Sequence, residues 1–464
     1  MSDDSPNILY VFSDQQRASA MGCYYGDEDL NTPQFDAFAA EGMRLDAAVS
    51  STPVCTPYRA MLMTGKYGHH TGVTTNRFYP DLSVYPCIGT ALSAAGYRCG
   101  YIGKWHLGEI QVDAGDPLRL GFDDEWYVGD NAHNYYEWAY ATDSRDPVAG
   151  SGFYRPQIET DRAIAYIKNR AGSGPWCLFM SWGPPHPPLK APDPYVAPYL
   201  DRDLSLHPNT SKLSGDRASD VSDWYAHYYG MTEGLDIEWG RLMRALEESG
   251  QADNTIVMYS SDHGEMLGSQ GLRGKRWPYR ESTQVPFLVR WPGKVEAGCS
   301  LSMPFGTPDI FPTLCGLAGV DVPAGLDGGD FSGAILGQPN ARTQAYAYTT
   351  MHHTFAVWPG WRGVRTERYN YARLEKEPWV LFDLENDPYE ERNLVGEDPK
   401  LVAELDGLLQ EAMGACGDTW RGVSQACGDW KAWLGEKQVQ QQGPDAVYPG
   451  SEAVREWVNR RIDE

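Results

Sequence analysis

The sequence LDIEWGRLMRALEESGQADNTIVMYSSDHGE, residues 235–265, contains the pattern that decides the fold. Apolar residues recur at helical spacing from Leu235 to Glu248, and Gly250 follows the end of this predicted helix. The next apolar run, Ile256 to Tyr259, is typical of a buried strand and leads directly into the polar residues Ser260 to Glu265. A helix that precedes such a strand indicates an α/β protein, in which helices cover both faces of a mostly parallel sheet.

The same alternation of strands and helices recurs along the first two-thirds of the chain. Strands are predicted at Asn7 to Phe12, Cys99 to Ile102 and Trp176 to Trp182, and helices at Pro33 to Gly42 and Thr160 to Arg170. We therefore predict one large α/β domain over residues 1–345, built on a large, mostly parallel sheet flanked by helices.

The pattern changes from about Ala345 onwards. Gly363 to Arg373 alternates with period two, Trp379 to Leu384 makes a further short strand, and a helix is predicted near Lys400 to Met413. Consecutive strands followed by a helix favour a smaller α+β domain with an antiparallel sheet over residues 346–464. Its tail carries Trp420 and three further tryptophans, and we expect it to pack on the body of the protein.

Charge and composition exclude several classes of protein. The 464 residues include 39 basic and 63 acidic ones, a net charge of −24, which argues against a binder of duplex nucleic acid and against a polybasic membrane adaptor. The sequence contains no run of 18 apolar residues, so it predicts no membrane-spanning helix. The acidic start and the short apolar run from Ile8 to Phe12 do not resemble a signal peptide, so we expect a cytoplasmic protein, or a periplasmic or secreted one if a leader has been removed. Nine cysteines, an odd number without CxxC spacing, argue against a disulfide framework and against a structural zinc site.

Polar side chains follow the predicted strands where each strand ends. They are Asp14 and Gln15, Lys104 and His106, His186, and Asp262 and His263. Because the carboxyl ends of parallel strands meet at one edge of a sheet, we expect these groups to line one crevice. Two carboxylates, an amide oxygen and one imidazole suit Ca²⁺ or Mg²⁺ better than tetrahedral zinc.

The pentapeptide Cys55-Thr56-Pro57-Tyr58-Arg59 is a second candidate site. Pro57 suits a first helical turn, so Cys55 is expected at a helix N-terminus, with Arg59 nearby. Backbone amides, the helix dipole and a guanidinium together favour a tetrahedral oxyanion. From these residues alone, Cys55 is either a thiolate nucleophile or a buried, inert cysteine.

The motif formed by Cys55, Pro57 and Arg59, continuing through Leu62 to Tyr67, resembles the signature of type I, formylglycine-dependent sulfatases of the alkaline-phosphatase-like superfamily. Similar motifs follow in order at Gly103 to Gly108, Pro185-His186, Asp262 to Glu265, Gly274-Lys275 and Phe382 to Leu384. The resemblance implies an alkaline-phosphatase-like fold whose catalytic domain is the predicted segment 1–345. It also implies hydrolysis of a small-molecule or saccharide sulfate ester to sulfate and an alcohol, which we expect to be a carbohydrate or an aryl alcohol.

The resemblance also assigns a metal centre. Asp14, Gln15, Asp262 and His263 match its ligands, and formylglycine made from Cys55 completes the shell. The usual metal is Ca²⁺, with Mg²⁺ or Mn²⁺ as alternatives, and a formylglycine-generating enzyme would be the maturation partner. Many relatives carry Asp at the position of Gln15 and Asn at that of His263, so this shell has less negative charge and one more nitrogen.

Catalytic roles follow from the same resemblance. Arg59, Lys104 and Lys275 would neutralise the sulfate oxygens, the metal-bound hydrate of formylglycine would attack sulfur, and Asp262 would accept its proton. His186, with Lys275, would protonate or stabilise the leaving oxygen, and His106 would help to regenerate the aldehyde. Candidate substrate-binding residues are Asn76, His133, His352 and His353.

Two other functions remain to be weighed. Formylglycine-dependent phosphonate monoester hydrolases and phosphodiesterases share the fold, and some resemble this chain at Asp14-Gln15 and Asp262-His263. They generally replace the Lys-x-His pair that Lys104 and His106 form here. A non-catalytic binding protein on the same scaffold would have lost the nucleophile or a ligand, and none is missing. A sulfatase is therefore favoured.

Overall fold

The computed structural model describes residues 5–25, 27, 29–76, 78–129, 133–144, 146–212, 216–352 and 360–420. Its strands are β1 (Asn7–Asp14), β2 (Met43–Leu45), β3 (Ala48–Val49), β4 (Arg98–Lys104), β5 (Glu125–Gly129), β6 (Glu137–Tyr140), β7 (Val148–Ser151), β8 (Trp176–Pro185), β9 (Thr255–Ser261), β10 (Phe287–Arg290), β11 (Cys299–Leu301), β12 (Phe305–Gly306), β13 (Ala347–Met351), β14 (Trp361–Arg365), β15 (Tyr369–Arg373) and β16 (Pro378–Asp383). Its α-helices are α1 (Pro33–Glu41), α2 (Cys55–Thr64), α3 (Gly68–Thr71), α4 (Ile88–Ala94), α5 (Arg155–Arg170), α6 (Asp193–Leu200), α7 (Asp216–Glu248), α8 (Arg280–Thr283), α9 (Ile310–Ala318), α10 (Ser332–Ile335) and α11 (Pro399–Ala415).

Eight strands form the main sheet, in the order β11-β2-β10-β9-β1-β8-β4-β5. The central strand β1 pairs in parallel with both β8 and β9, and β4 pairs in parallel with β8 and β5. Strand β10 is antiparallel to its neighbours β9 and β2. The predicted α/β class with a large, mostly parallel sheet is confirmed, and the carboxyl ends of five adjacent parallel strands, β9, β1, β8, β4 and β5, are brought side by side.

Both faces of this sheet are buried, which explains the continuous apolar runs of its strands. On β1, Tyr10 and Phe12 face a core that includes residues of α2, α4 and α9. Leu9 and Val11 face the opposite core, where Trp239 of α7 packs with residues of α1 and α5. Helices on both faces leave the carboxyl edge of the sheet as the place for polar groups.

The C-terminal part contains a separate antiparallel sheet in the order β13-β14-β15-β16. Helix α11 packs on it through Leu405 and Leu409, against Val364 and Leu381. The predicted small antiparallel sheet and its helix are confirmed. The single alternating segment Gly363 to Arg373 is in fact parts of two strands, β14 and β15, joined by a tight turn.

Other sequence predictions have mixed outcomes. The boundary between residues 345 and 346 stays a prediction, and three tryptophans of the tail lie outside the described residues. The eight cysteines that the structure describes are all free. Within the described ranges, no helix is long and apolar enough to cross a membrane.

Candidate active site

The strand ends bring the predicted ligands together. Asp14 is the last residue of β1, and Asp262 follows β9, so the parallel pairing of these two strands sets the carboxylates side by side. Both residues have no exposed surface. Gln15 continues from Asp14 with a φ of 71°, and its backbone N–H donates to Asp262 Oδ1 at 3.0 Å.

Four side chains form a compact group of possible metal ligands. Asp14, Cys55, Asp262 and His263 each place one donor atom within 4.8 Å of the others. His263 Nδ1 lies 3.0 Å from the carbonyl of Gly264, so its N–H donates there and Nε2 is left as the acceptor that faces the group. Nε2 lies 3.3 Å from Asp262 Oδ1 and 3.8 Å from Asp14 Oδ1.

The two buried carboxylates have pKa values displaced in opposite directions. Burial and the charge of Asp14 raise the pKa of Asp262 to about 7. Burial and Cys55 also act to raise the pKa of Asp14, but Lys104, His186 and Lys275 outweigh them and lower it. Two buried carboxylates that repel each other, with an imidazole beside them, form a set of ligands that fits a divalent cation.

Cys55 is the first residue of α2 and is 1% exposed. Its Sγ lies 3.2 Å from His263 Nε2, 3.3 Å from Lys275 Nζ and 3.6 Å from Asp14 Oδ1. Burial raises the pKa of the thiol, but Lys104, Lys275 and His263 outweigh it, so the pKa lies well below its usual value. An inert cysteine packed among apolar groups is thus the wrong description of this residue.

Arg59 lies one turn along α2 from Cys55 and is fully buried. Its Nη2 is 3.4 Å from Asp14 Oδ2 and 3.3 Å from Asp262 Oδ2. Its Nη1 donates to the carbonyl of Lys104 at 2.6 Å and to Ser181 Oγ at 2.8 Å. The guanidinium thus joins the ends of β1, β4, β8 and the segment after β9.

Two lysines complete the cationic side of the site. Lys104 Nζ forms an ion pair with Asp14, and Lys275 Nζ donates to Gln15 Oε1 at 2.6 Å. The amide oxygen of Gln15 is therefore engaged by Lys275 in this arrangement. The site combines cations with possible metal ligands, as binding of a tetrahedral oxyanion requires.

Comparison with known proteins identifies the family. The family profile described as sulfatase matches residues 6–320. The chain belongs to the sulfatase family. A profile described as N-sulphoglucosamine sulphohydrolase, C-terminal, matches residues 268–415 of this sulfatase.

Individual relatives match over most of their length. An ulvan-active sulfatase of Formosa agariphila is 36% identical, over 90% of this chain and 82% of its own. An endo-4-O-sulfatase of Bacteroides thetaiotaomicron is 30% identical, over 90% of this chain and 93% of its own. The solved structure of a Bacteroides fragilis protein designated yidJ is 27% identical with a TM-score of 0.80, covering 90% of this chain and 97% of that one. The sulfatase is a sulfuric ester hydrolase with the alkaline-phosphatase-like architecture.

Two histidines line the sulfatase site on different strand ends. His106, with a φ of 57°, is 1% exposed, and neither ring nitrogen has a hydrogen-bond partner in the described part of the chain. Burial lowers its pKa, although Cys55 acts in the opposite direction. His186 is partly buried, and burial and Lys275 lower its pKa. His133 stacks on His186, with ring centroids 3.7 Å apart and 10° between the planes.

The remaining predicted substrate residues are placed differently. Asn76 Oδ1 accepts a hydrogen bond from Thr56 N at 3.0 Å, so it caps the N-terminus of α2. His352 is 4% exposed and belongs to another buried group, where its Nε2 is 3.5 Å from Asp418 Oδ2. His353 lies outside the described residues, and substrate contacts for these positions stay predictions.

Sequence reasoning missed two residues that organise the site, Glu265 and Ser181. Glu265 accepts hydrogen bonds from the backbone of Leu267 and Gly274 at 2.9 and 2.6 Å and also binds the Gln15 amide group. It therefore shapes the loop that carries Lys275. The position of Glu265 at the end of the Asp262 to Glu265 motif was the feature of the sequence that could have indicated this role. Ser181, inside an apolar strand, gave no comparable signal.

Proposed function

We propose that this protein hydrolyses sulfate monoesters of saccharides, with formylglycine made from Cys55 as the reactive group. The observation that carries the proposal is the position of Cys55 Sγ, 3.3 Å from Lys275 Nζ and grouped with Asp14, Asp262 and His263. The ulvan-active and endo-4-O-sulfatase relatives support a saccharide as the alcohol. Maturation would require a formylglycine-generating enzyme.

The chain offers fitting ligands for Ca²⁺, with Mg²⁺ or Mn²⁺ as alternatives. Asp14, Asp262, His263 and the Gln15 amide would hold the ion, and the amide oxygen would have to exchange Lys275 for the metal. When bound, the ion and the formylglycine hydrate supply a nucleophilic oxygen at neutral pH. The Asp262 carboxylate, in the same compact group as Cys55, would accept the proton that this oxygen gives up.

Positive side chains would hold the sulfate group. Lys104 and Lys275 both lie close enough to Cys55 to lower its pKa, so a negative group at position 55 is favoured by their charge. The Lys275 ammonium also contacts Cys55 Sγ directly. Arg59 is bound by carboxylates and Ser181, so its main contribution is to fix this geometry and to balance charge at the buried centre.

The two pocket histidines would handle the remaining protons. His186 donates its Nδ1–H to the carbonyl of Pro187 at 2.6 Å, which leaves Nε2 for the leaving oxygen. A bound anionic sulfate favours the protonated imidazole and so opposes the lowered pKa of the free site. His106, close enough to Cys55 for the thiol to affect its pKa, is suited to withdraw a proton from the hydrate when the aldehyde is regenerated.

Phosphonate monoesters and phosphodiesters are the alternative substrates for this site. They need the same cationic clamp on a tetrahedral oxyanion, so some activity on them is expected. The presence of both Lys104 and His106 favours sulfate, because the related phosphoryl enzymes generally lack this pair. Lys104 forms an ion pair with Asp14, and both ring nitrogens of His106 are without a hydrogen-bond partner among the described residues. A binding protein without activity is disfavoured, since the sequence has lost neither the cysteine at position 55 nor any proposed ligand.

The proposal is tested by comparing kcat/KM for sulfated saccharides, aryl sulfates, a phosphonate monoester and a phosphodiester. We expect the highest value for a sulfated saccharide. Phosphodiester turnover well above that of every sulfate ester would refute the sulfatase assignment for this site.

Maturation at Cys55 is tested separately. Peptide mass spectrometry of active enzyme should show the aldehyde in place of the thiol at position 55. Cys55→Ala should abolish turnover without changing the melting temperature markedly, because α2 does not depend on the thiol. Full activity with an unmodified cysteine would contradict the formylglycine mechanism.

A further inference from the structure

Residues 133–135 contact the carboxyl end of β8 and His186, which directly follows that strand. The Tyr135 hydroxyl donates to the carbonyl of His186 at 2.6 Å and lies 3.1 Å from the carbonyl of Gly183. A Cβ on Gly183 would approach the Tyr135 ring to 2.9 Å. This buried tyrosine therefore anchors the segment directly against the backbone that leads into His186.

The His186 ring is restrained in two independent ways. Its Nδ1 donates to the carbonyl of Pro187 at 2.6 Å, which restrains rotation of the ring within its own plane. His133 stacks on its face at 3.7 Å with planes only 10° apart, which restrains tilting of the ring. Together the two contacts set the direction in which Nε2 points.

We infer that His133 is a positioning residue, whose ring holds the His186 imidazole in the plane from which Nε2 reaches the leaving oxygen of a sulfate ester. The inference rests on the proposed function, because it needs His186 to serve the leaving group. As sulfur bonds to the nucleophilic oxygen at position 55, its bond to the leaving oxygen breaks and that electron pair stays on the leaving oxygen. The Nε2 proton transfers there to give the alcohol and neutral imidazole. His133 gains and loses no proton in this step.

The environment of His133 fits that passive role. Burial, Lys104 and His186 lower the pKa of His133 to about 2, so its ring is neutral at ordinary pH. A neutral aromatic face can pack against either charge state of His186 and does not compete for the proton. A phenyl ring would provide the same face without ring nitrogens, whereas a methyl group would not.

Leaving-group dependence distinguishes positioning of His186 from contact with the substrate. The experiment uses the matured enzyme and a series of phenyl sulfates whose phenols range from strongly to weakly acidic, with kcat measured for each. Good leaving groups need little help from an acid, whereas poor ones need it most. The variants are His133→Ala, His133→Phe, His186→Ala and the double alanine variant, with His227→Ala as a histidine control on α7.

His186→Ala should lower kcat for every phenyl sulfate, and most for the poorest leaving group. We expect the loss of kcat with the poorest leaving group to exceed that with the best one by roughly 10²- to 10⁴-fold. In His133→Ala the loss of kcat should also be larger for poor leaving groups, by about 10- to 100-fold, because His186 is present but its Nε2 is no longer held in the right direction. His133→Phe should recover most of the wild-type leaving-group dependence, and His227→Ala should keep it. The double variant should match His186→Ala alone, since His133 acts through His186.

Equal losses across the series for His133→Ala, or losses that multiply with those of His186→Ala, would overturn the inference. A His133→Phe variant that behaves like His133→Ala would do the same, because it would make the ring nitrogens the important feature. Melting temperatures of all variants separate these results from misfolding. Failure of the proposed function would be distinct: the matured wild type would turn over no sulfate ester.

Discussion

Asp14 and Asp262 are two fully buried carboxylates on neighbouring strand ends, and each is within 3.4 Å of the single Arg59 guanidinium. One guanidinium cannot balance both in a buried site, although Lys104 adds a second cation beside Asp14. Burial and the charge of Asp14 raise the pKa of Asp262. A divalent cation bound by both carboxylates would offset their repulsion, so metal binding and stability should be linked.

Asp262→Asn tests that linkage without measuring activity. The substitution keeps an oxygen that can accept from Gln15 N but removes one charge. We expect the metal-free variant to melt at a higher temperature than the metal-free wild type, because a like-charged pair is relieved. Added Ca²⁺ should raise the melting temperature of the wild type clearly and that of the variant by less than half as much.

The exposed Asp203→Asn provides the control and should respond to Ca²⁺ like the wild type. Equal Ca²⁺ responses of Asp262→Asn and the wild type would exclude Asp262 as a ligand. A metal-free variant that melts at a lower temperature would show that the negative charge of Asp262 is already compensated by the protein.

The sequence could predict which residues carry chemistry, but not which of them contact each other. Asp14 and Asp262 follow buried strands, a local pattern that is visible in the chain. The contact of Arg59 with Ser181 joins positions 122 residues apart, and Ser181 lies in an apolar strand that gives no hint of a role. Such contacts depend on strand order and register, which local patterns do not determine.

At the scale of elements, α2 is capped by a residue outside it. Asn76 Oδ1 accepts from Thr56 N, while Val54 at the N-cap position offers no side-chain acceptor. Asn76→Ala should therefore lower the free energy of unfolding by about 1 kcal/mol, measured by urea denaturation. Asn76→Asp keeps an acceptor at the helix N-terminus and should retain that stability.

The same pair of variants tests the predicted substrate contact of Asn76. The aspartate keeps the cap but loses the amide donor. A raised KM for the sulfated substrate in Asn76→Asp would show that the amide binds substrate as well. An unchanged KM together with an unchanged stability of Asn76→Ala would contradict both roles.

Helix α7 shows where periodicity underestimates an element. The sequence predicted it from Leu235, but it begins at Asp216. Its first half buries Tyr225, Tyr228 and Tyr229, which belong to a hydrophobic cluster separate from the two cores that flank the main sheet. Tyrosine is ambiguous in a hydrophobic pattern because its ring is apolar and its hydroxyl is polar, so this stripe was not recognised.

A buried carboxylate also links α7 to α1. Asp236 Oδ1 accepts from the backbone N–H groups of Gln34 and Phe35 at 3.0 and 2.8 Å. Burial, with repulsion from Asp36 and Glu233, nevertheless raises its pKa to about 7. Because the folded state holds this proton more tightly than the unfolded chain, its contribution to stability is present below pH 4 and declines as the pH rises to about 7.

Asp236→Asn should remove this dependence while keeping an oxygen that accepts from α1. Relative to the wild type, the variant should gain up to about 4 kcal/mol of unfolding free energy between pH 4 and pH 8. Urea denaturation at both pH values measures the difference, with the exposed Glu248→Gln as control. A difference that does not change with pH would show that Asp236 titrates at its ordinary pKa.

For the whole molecule, the sequence predicted the layers but not the strand order. Long apolar strands such as β1 and β8 are recognisable because both faces are buried. The edge strand β11 and its neighbour β2 have three residues each and exist only through their pairing with neighbouring strands. The change from a mostly parallel to an antiparallel sheet was predictable because the hydrophobic period changes along the chain, whereas these two short strands contain too few residues to show a period.

The net charge of −24 sets how an anionic substrate approaches this molecule. Lys104, Lys275 and Arg59 make the buried centre locally cationic, but all three contact groups of the site itself. At distances beyond about 10 Å the acidic surface should dominate and weakly repel a sulfate ester. Affinity must then come from contacts made inside the pocket.

Salt should therefore leave kcat/KM for a sulfate ester unchanged or raise it, because added ions screen the repulsion at long range. The measurement is kcat/KM at increasing sodium acetate and, in parallel, sodium chloride, so that competition by a particular anion is distinguished from screening. A singly and a doubly sulfated substrate should be compared, and the gain with salt should be larger for the more highly charged one. A steep fall with both salts would mean that the pocket's positive field extends into solution and steers the substrate, despite the excess of 63 acidic over 39 basic residues.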